Sequence, residues 1–410
     1  MQARKILFIT DAHTPPLYGR RTRFFCKKFH TDGYKVRLLC EKYEEPIPFT
    51  EPYELIEIPY YCCNNGIASK AEWVIKNILS ILFDYRNRYF SRKIRQIETN
   101  EQPDIIVCST FSTMGLRAAA NLAKREQIPF IIDLRDIVEQ ASTESYERCK
   151  GTNAIKRATI NIFRHISVRR RNTILRRADT VTAVAPWTTS FLKQFNPNTH
   201  LIYNGYEDEL NGFVEESCQK FKIVYTGVWY GAVMQNPIPL FLALQNIKAA
   251  YPDIYANIEI DWYTRENSIA ELDSLANKYS IADINHYHPL VPFSDIPSIL
   301  HQSSAILVLT DPSAHHVLPT KLFEAIGVEK PTICVSCTSG TIFDIITETN
   351  AGIATSNCAD VENFILEKHS EWKANGFTHQ LINNSHRYSR NYQYTILKSL
   401  VDKLIENNKK

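Results

Sequence analysis

The chain has 410 residues, of which 44% are hydrophobic and 22% are charged, and its formal net charge at pH 7 is +3. This composition is typical of a globular protein and excludes a disordered one. The chain is longer than a domain with a single hydrophobic core usually is, so its length predicts two domains. All apolar runs are shorter than the ~20 residues that span a bilayer, so we expect no transmembrane helix. The apolar run at residues 6–9 is too short for a signal peptide, so we expect none.

The ten cysteines are expected to be reduced, as in a cytosolic protein. Two of them, Cys334 and Cys337, form a CxxC pair in the strand-like segment TICVSC. A zinc site would need a second pair or histidines at matching spacing, and the following sequence supplies neither. We therefore interpret the pair as structural and expect no metal site.

In the first half of the chain, apolar strand-like segments alternate with amphipathic helix-like segments, which predicts parallel strands joined by crossover helices. Helices are predicted at residues 20–33, where Gly33 is a good C-cap, at residues 113–127 and from about Trp187. The predicted strands are KILFIT (5–10), KVRLLC (35–40), PDIIVCST (103–110), PFIIDLRD (129–136), ADTVTAVA (178–185) and HLIYNG (200–205).

After a polar stretch at residues 204–220 the alternation starts again. The predicted strands are FKIVYTG (221–227), IEIDWYT (258–264), INHYHPLV (284–291), AILVLT (305–310), PTICVS (331–336) and AGIATS (351–356). The sequence therefore predicts an α/β fold of two doubly wound, Rossmann-like domains that face each other across a cleft. We expect the first domain at residues 1–207 and the second at residues 220–385, with C-terminal helices at residues 386–410 packing back on the first.

Ligands of doubly wound sheets bind beyond the carboxyl ends of the strands, so residues that come directly after a strand are the candidates for a site. Gly19 comes after KILFIT in the loop DAHTPPLYGRR, which is either an ordinary loop or a place where backbone amides approach an anion. Arg135 and Asp136 end the segment PFIIDLRD. They form either an ion pair that caps the strand or a ligand contact, since a guanidinium suits phosphate or carboxylate.

Two further candidates come after strands of the second half. Gly227 ends FKIVYTG, at a point where a phosphate can approach the backbone. Arg265 comes after IEIDWYT at the start of a predicted helix, where a cation opposes the helix dipole. Either a solvated arginine or a nearby bound anion is compatible with that position.

The segment LPTKLFEAIGVEKPTI at residues 318–333 combines a helix start with candidate ligand contacts. The helix is predicted to begin at Pro319 or Thr320, so that its free amides and Lys321 can meet a diphosphate. Glu324, one turn on, can accept two hydrogen bonds from a vicinal diol such as a ribose. The alternative is simple helix capping, with a glutamate that the dipole favours in the first turn.

These segments resemble, in their order along the chain, GT-B glycosyltransferases of the family 4 type. LPTKLFEAIGVEKPTI is similar to the family's donor-site segment, P-S-K-x-x-E-x-x-A-x-G-K-P-V-I, and FIIDLRD to a strand end of the pattern D/E-x-R-D. IYNGYEDE resembles the segment that leads into the second domain, and IVYTGVWYG the first strand of the donor domain. The resemblance covers nearly the whole chain.

The resemblance implies a retaining transferase that uses a nucleotide-diphosphate sugar and needs no metal or other cofactor. Carried over by position, Arg135 and Asp136 are the catalytic residues, near the acceptor and the reacting sugar, and Glu324 holds the ribose. Leu290 belongs to HPLV (288–291), which is expected to form the base-binding edge. The implied donor-binding residues are Gly19, Gly227, Arg265, Leu290, His316, Pro319, Thr320, Lys321 and Glu324.

Three departures from the family pattern concern the donor site. At His316 the family often has a glutamate that touches the donor sugar, and Gly19 is followed by Arg20 rather than by a second glycine. GVWYGAVMQNP also lacks the arginine and lysine pair that often follows the first strand of the donor domain. These departures leave two alternatives open: a catalytically silent GT-B partner of another transferase, and a GT-B sugar-nucleotide epimerase.

Residues 150–178 contain nine Lys or Arg and no Asp or Glu, interleaved with apolar residues near helical spacing. Residues 71–95 are apolar first and basic last. Such segments either bind an anionic membrane surface or are ordinary amphipathic surface helices. Nucleic acid is not expected as a partner, because the basic run has neither a recognised nucleic-acid fold nor an aromatic stacking platform.

Together these features predict an enzyme, a glycosyltransferase of the hexosyltransferase type. Its expected substrates are a nucleotide-diphosphate sugar and a saccharide or lipid-linked acceptor. The expected pathway is the synthesis of a cell-surface polysaccharide or glycolipid, such as capsule or lipopolysaccharide. The expected location is the cytoplasm, with a peripheral position on the inner face of the cell membrane.

Overall fold

The computed structural model of the chain describes residues 3–12, 16–42, 49–62, 66–97, 102–110, 115–140, 154–310 and 317–408. These residues form two compact units. The first unit contains the described residues among 3–139, 154–203 and 394–408, and the second contains Gln140 and those among 204–393.

The first unit is built on a seven-stranded sheet, whose strands are β1 (Lys5–Ala12), β2 (Lys35–Glu41), β3 (Glu54–Ile58), β4 (Ile105–Thr110), β5 (Phe130–Leu134), β6 (Thr180–Ala183) and β7 (Thr199–Leu201). The strands pair in the order β3-β2-β1-β4-β5-β6-β7, and every pair is parallel. The order reverses between β1 and β4, which is the mark of a doubly wound sheet.

The second unit is built on a six-stranded sheet, whose strands are β8 (Phe221–Thr226), β9 (Ile258–Tyr263), β10 (Asn285–His288), β11 (Ala305–Leu309), β12 (Thr332–Val335) and β13 (Gly352–Thr355). They pair in the order β10-β9-β8-β11-β12-β13, again all parallel. The predicted α/β class with two doubly wound, Rossmann-like sheets is therefore confirmed.

Helices connect the strands of both sheets, as parallel pairing requires. In chain order they are α1 (Pro16–Thr31), α2 (Gly66–Phe83), α3 (Tyr85–Ile97), α4 (Leu116–Glu126), α5 (Ala154–Leu175), α6 (Pro186–Leu192), α7 (Ile238–Ala250), α8 (Pro252–Tyr255), α9 (Glu266–Lys278), α10 (Ile296–His301), α11 (Thr320–Gly327), α12 (Thr341–Thr349), α13 (Cys358–Asn375) and α14 (Arg390–Asn408). Among the described residues, no helix is both long and apolar enough to cross a membrane.

The sequence analysis did not predict β3, the edge strand of the first sheet. Its five residues, ELIEI, carry two glutamates and are only partly buried, so the segment lacks the continuous apolar run that marks the inner strands. The other strands coincide with the predicted apolar segments, with ends that differ by a few residues. The largest difference is at HLIYNG, where only Thr199–Leu201 is a strand.

The last helix, α14, contributes to the core of the first unit. Tyr394, Leu397, Val401 and Ile405 repeat at helical spacing and are buried with the apolar side chains of β1, β2 and α1. The ring of Tyr394 packs edge-on against that of Phe29, with 4.9 Å between the ring centroids. The C-terminal residues are thus an integral part of the first unit.

A buried ion pair joins α1 to the sheet of the first unit. Arg21 and Asp133 are 1% and 2% exposed, and Arg21 Nη1 donates to Asp133 Oδ2. Asp133 also accepts hydrogen bonds from Ser109 Oγ at 2.8 Å and from Thr182 Oγ1 at 2.7 Å, while Arg21 Nη2 donates to the carbonyl of Ile202 at 2.9 Å. Burial lowers the pKa of the Arg21 guanidinium, and the charge of Asp133 offsets part of that effect. The pair therefore connects α1 with strands β4, β5 and β6 and with the residue directly after β7.

Replacing Asp133 by asparagine should strongly destabilise the protein, because the substitution leaves the buried Arg21 charge uncompensated. We expect the free energy of unfolding to fall by about 3–5 kcal/mol. Urea unfolding monitored by circular dichroism measures this change. The control is Glu406→Gln, which removes an exposed partner of Arg4 and should change stability by less than about 1 kcal/mol. Equal effects of the two substitutions would show that the buried pair is not a major stabilising contact.

Candidate functional site

Gly227 and Lys321 meet at the carboxyl edge of the second sheet. Gly227 comes directly after β8 with a φ of +118°, a backbone conformation that favours glycine, and its amide donates to the carbonyl of Tyr263 at 2.8 Å. A Cβ atom at Gly227 would lie 3.1 Å from both Cε and Nζ of Lys321. The absence of a side chain at position 227 therefore leaves room for the lysine to lie against the strand end.

The amine of Lys321 is positioned by an aromatic residue of β8. Lys321 Nζ donates to the hydroxyl of Tyr225 at 3.2 Å and lies 4.3 Å from the centroid of its ring. The Tyr225 hydroxyl in turn donates to the carbonyl of Val228 at 3.0 Å. Tyr225 was not among the predicted site residues. Its position two residues before Gly227 in FKIVYTG was the signal that could have identified it, because alternate strand residues share a face.

Lys321 lies in the first turn of helix α11, whose free backbone amides are therefore close to it. The helix begins at Thr320, and its N-cap, Pro319, has an extended conformation and makes no capping hydrogen bond with its side chain. Thr320 is exposed, Lys321 is partly exposed and Glu324, one turn on, is 9% exposed. The predicted start of this helix is confirmed.

The other end of α11 is fixed by close packing against the segment at residues 206–212. A Cβ atom at Gly327 would lie 2.7 Å from the Tyr206 ring and 2.8 Å from the carbonyl of Leu210. The carbonyl of Gly327 accepts a hydrogen bond from the amide of Gly212 at 2.8 Å. Only glycine permits this approach, which sets the position of the helix and therefore of Lys321 and Glu324.

Arg265 follows β9, which pairs with β8, and Leu290 follows β10, which pairs with β9. Arg265 is exposed and is the N-cap of α9, and Leu290 is exposed two residues after β10. The ends of these two strands are joined by a hydrogen bond from the amide of Thr264 to the carbonyl of His288, at 3.0 Å. The rings of Tyr263 and His288 stack with centroids 4.5 Å apart. Both candidates thus lie at the same edge of the sheet as Gly227.

The loop after Gly227 is held by a network of hydrogen bonds. Trp229 Nε1 donates to the carbonyl of Gln235 at 2.9 Å, and the amide of Tyr230 donates to Gln235 Oε1 at 2.8 Å. Ser268 Oγ, in α9, donates to the carbonyl of Trp229 at 3.0 Å. The loop keeps the Tyr230 side chain 58% exposed. The sequence analysis noted only that this loop lacks cations, and it missed the exposed aromatic ring.

In the first unit, Arg135 and Asp136 come directly after β5. Arg135 is buried, whereas the side chain of Asp136 reaches solvent. Asp133 of the same segment lies in the buried ion pair with Arg21, so its role is structural. One charge of DLRD, Asp133, is therefore structural, and the other two remain the candidates.

Two of the predicted site residues, Gly19 and His316, are not found at a described strand end. Gly19 was expected in the loop before the first helix, but it lies inside α1, as the fourth helical residue, and is buried. The helix begins earlier than predicted because Pro16, which is favoured in a first turn, is its first residue. His316 lies outside the described residues. Among the residues that are described, no group of three or more His, Cys, Asp or Glu side chains could hold a metal ion.

Residues 19–210 match the sequence model of Glycosyltransferase Family 4. No curated protein sequence matches the chain. Solved structures do resemble it along its whole length. Sucrose-phosphate synthase from Thermosynechococcus elongatus is 12% identical, with a TM-score of 0.64 and coverage of 98% of this chain and 100% of the other.

Two further structures show the same fold. Anabaena HepE in complex with UDP-glucose is 13% identical, with a TM-score of 0.61 and coverage of 97% of this chain and 99% of the other. The lipopolysaccharide outer core galactosyltransferase WaaB, in its apo form, is 12% identical, with a TM-score of 0.59 and the same coverage. At this level of identity the likeness concerns the fold. Residues 19–210 are therefore similar to Glycosyltransferase Family 4, and the chain has the GT-B fold of two Rossmann-like domains.

Proposed function

We propose that the protein is a retaining glycosyltransferase that moves a sugar from a nucleotide-diphosphate sugar to a lipid-linked saccharide acceptor. The pathway would be the synthesis of a cell-surface polysaccharide or glycolipid. In this proposal the second unit binds the donor and the first binds the acceptor. The observation that carries it is the placement of the Lys321 amine against Gly227, in the first turn of α11.

The donor site is argued from charge. When a sugar leaves a nucleoside diphosphate, the diphosphate gains negative charge, which preorganised cations and amides stabilise. Lys321, Arg265 and the amides after Pro319 and Thr320 are groups of this kind at one edge of one sheet. In the proposal, Glu324 accepts the ribose hydroxyls and Leu290 borders the base.

The catalytic part of the proposal assigns Asp136 and Arg135 to the acceptor and the reacting sugar. Asp136 comes directly after β5 and is exposed, so an acceptor hydroxyl can approach its carboxylate. The similar HepE structure holds UDP-glucose, and WaaB is described as a galactosyltransferase. These two similarities support a sugar-nucleotide donor and a saccharide acceptor for this chain.

Removing the amine of Lys321 should weaken nucleotide binding. We expect Lys321→Met to bind the preferred nucleotide about 10- to 100-fold more weakly, which corresponds to the loss of one charge-assisted hydrogen bond. Calorimetric titration with UDP, GDP, CMP and ADP measures the affinities and identifies the preferred nucleotide. Glu324→Gln should lower affinity for the same nucleotide, because one oxygen that accepts from the ribose is lost.

Lys373→Met is the matched control, because Lys373 is exposed on α13, away from this edge of the sheet. Equal affinities of Lys321→Met and the control would contradict the donor site. Turnover is then measured with the matching sugar nucleotide and a saccharide acceptor. Binding without transfer, or an epimerised sugar nucleotide formed without acceptor, would contradict the transferase and favour one of the two alternatives.

Gly227→Ala tests the contact between the strand end and the lysine. The added Cβ must displace Lys321, so we expect nucleotide affinity to fall about tenfold. Gly231→Ala is the matched control, since Gly231 also has a positive φ, of +96°, but its Cβ would meet only the Glu271 carboxylate, at 3.6 Å or more. Backbone strain is common to both variants. An equal loss in both would show that strain, and not the position of Lys321, controls binding.

The membrane part of the proposal rests on α2, which has no buried residue. Several of its large apolar side chains lie on one helical face and are 47–89% exposed: Ile67, Val74, Ile75, Ile78 and Leu82. An exposed apolar face of this kind marks an interaction surface, and helices that lie in a membrane interface bury such a face in the lipid.

Basic residues of the next helix suit an anionic lipid surface. Arg88, Arg92 and Arg95 are exposed on α3 at i, i+4 and i+7 spacing, so they form one stripe. A cationic stripe next to an apolar helix face is complementary to anionic headgroups above an apolar membrane interior. We therefore propose an anionic membrane surface as the partner of α2 and α3.

Placing charges on the apolar face of α2 should abolish membrane binding. We expect Ile75→Glu/Ile78→Glu to bind vesicles that contain phosphatidylglycerol at least about tenfold more weakly than the unchanged protein. Co-sedimentation with these vesicles, and with phosphatidylcholine vesicles alone, measures the effect. The control is Leu381→Glu, because Leu381 is 72% exposed in the second unit. Unchanged binding by the double variant would contradict this surface.

A further inference from the structure

The side chain of Gln235 joins the loop after Gly227 to the residue that holds the Lys321 amine. Its Oε1 accepts hydrogen bonds from the amide of Tyr230 at 2.8 Å and from the hydroxyl of Tyr225 at 3.3 Å. The Tyr225 hydroxyl is also the group to which Lys321 Nζ donates, at 3.2 Å. A single carboxamide oxygen therefore lies between the loop and the tyrosine that contacts the lysine.

The orientation of the Gln235 carboxamide follows from its partners. The backbone amide of Tyr230 can only donate, so the atom that faces it is the oxygen and not the nitrogen. The proton of the Tyr225 hydroxyl is shared between this oxygen and the carbonyl of Val228, which is 3.0 Å away. Because its proton is directed at these two acceptors, the hydroxyl presents a lone pair to the Lys321 amine.

Backbone contacts on both sides of Gln235 fix the direction of its side chain. The Gln235 amide donates to the carbonyl of Gly231 at 2.9 Å, and the Gln235 carbonyl accepts from Trp229 Nε1 at 2.9 Å. The carbonyl of the next residue, Asn236, accepts from Ser336 Oγ at 3.2 Å. These contacts do not involve the carboxamide, so a change at the tip of the side chain should leave the loop folded.

The Lys321 amine depends on such support, because it forms no ion pair with a carboxylate of the described chain. A lysine has a flexible side chain, and fixing its amine costs conformational entropy when an anion binds. Tyr225 holds the amine through its hydroxyl and through its ring, whose centroid is 4.3 Å from Nζ. A residue that keeps the Tyr225 hydroxyl oriented therefore reduces the cost of binding the anion.

We propose that Gln235 is a positioning residue of the donor site, which acts on the Lys321 amine through Tyr225. It preorganises the amine for the diphosphate of the donor without contacting the diphosphate itself. The segment GVWYGAVMQNP, which contains no cation, thus contributes by orienting Lys321. The inference rests on the proposed function, since it assumes that Lys321 binds the donor.

Gln235→Met tests the inference, because methionine has a similar length but lacks the carboxamide oxygen. We expect this variant to bind the preferred nucleoside diphosphate about fivefold more weakly than the unchanged protein, by calorimetric titration. Tyr225→Phe, which removes the hydroxyl and keeps the ring, should cause a similar loss. The variant with both changes should bind no more weakly than Tyr225→Phe alone, since Gln235 acts through that hydroxyl.

A second background separates positioning from a general disturbance of the loop. In Lys321→Met no amine is left to orient, so adding Gln235→Met should cause no further loss of affinity. A disturbed loop would weaken binding in both backgrounds. The matched control is Gln302→Met, which should bind normally, because Gln302 is exposed and precedes β11, at the opposite edge of the sheet.

Three outcomes would overturn this inference alone. They are normal affinity of Gln235→Met, a further loss when Gln235→Met is added to Tyr225→Phe, and a further loss when it is added to Lys321→Met. A protein that binds none of the tested nucleotides, or whose affinity does not change in Lys321→Met, would contradict the proposed donor site and this inference with it. The unchanged protein and Lys321→Met therefore distinguish the two failures.

Discussion

Parallel pairing throughout both sheets is the constraint on which the arrangement of this protein depends. Parallel strands all end at one edge, and helices cover both faces of the sheet, so polar groups near a strand end must be paired or reach solvent at that edge. In the first unit, Asp133 in β5 is paired with Arg21 from α1 and is further bound by Ser109 and Thr182. Three side chains of the protein thus bind the Asp133 carboxylate. This edge therefore has a buried polar network that fixes α1 against the sheet and leaves Arg135 and Asp136 as the groups beyond it.

The second unit meets the same constraint in a different way. Lys321 is not paired with a carboxylate among the described residues; its amine instead contacts the ring and hydroxyl of Tyr225. An ammonium group has three donors, and Tyr225 accepts only one of them, so the others are able to bind an anion. Gly227 keeps the strand end open, and Gly327 allows α11 to pack closely enough to hold the lysine there. The two sheets share one topology, but the second places at its edge a cation that no carboxylate of the described chain neutralises.

The sequence predicted the order of strands and helices well, because the inner strands are continuous apolar runs and the helix starts carry local signals. The start of α11 and the position of Gly227 after β8 are examples. It did not reveal which charge in DLRD is structural, since the partner of Asp133 is Arg21, 112 residues away. It also missed Tyr225, because a contact with Lys321 across 96 residues leaves no local pattern. Spacing thus identifies the residues at the end of a strand, whereas roles that depend on distant partners need the structure.

The basic run in α5 illustrates how one segment serves several purposes. The basic run at residues 150–178 includes three consecutive arginines at 169–171, of which only Arg169 is exposed. Arg170 donates to the carbonyls of Ser80, Ile81 and Leu82 at 2.8–3.2 Å and so caps the last turn of α2. Arg171 is buried and forms a two-point ion pair with Glu139. A cation that is bound to a helix end or a carboxylate adds little to lipid binding. Arg170 therefore holds α2 in place, and the apolar face of that helix, with the arginines of α3, carries the proposed contact with the membrane.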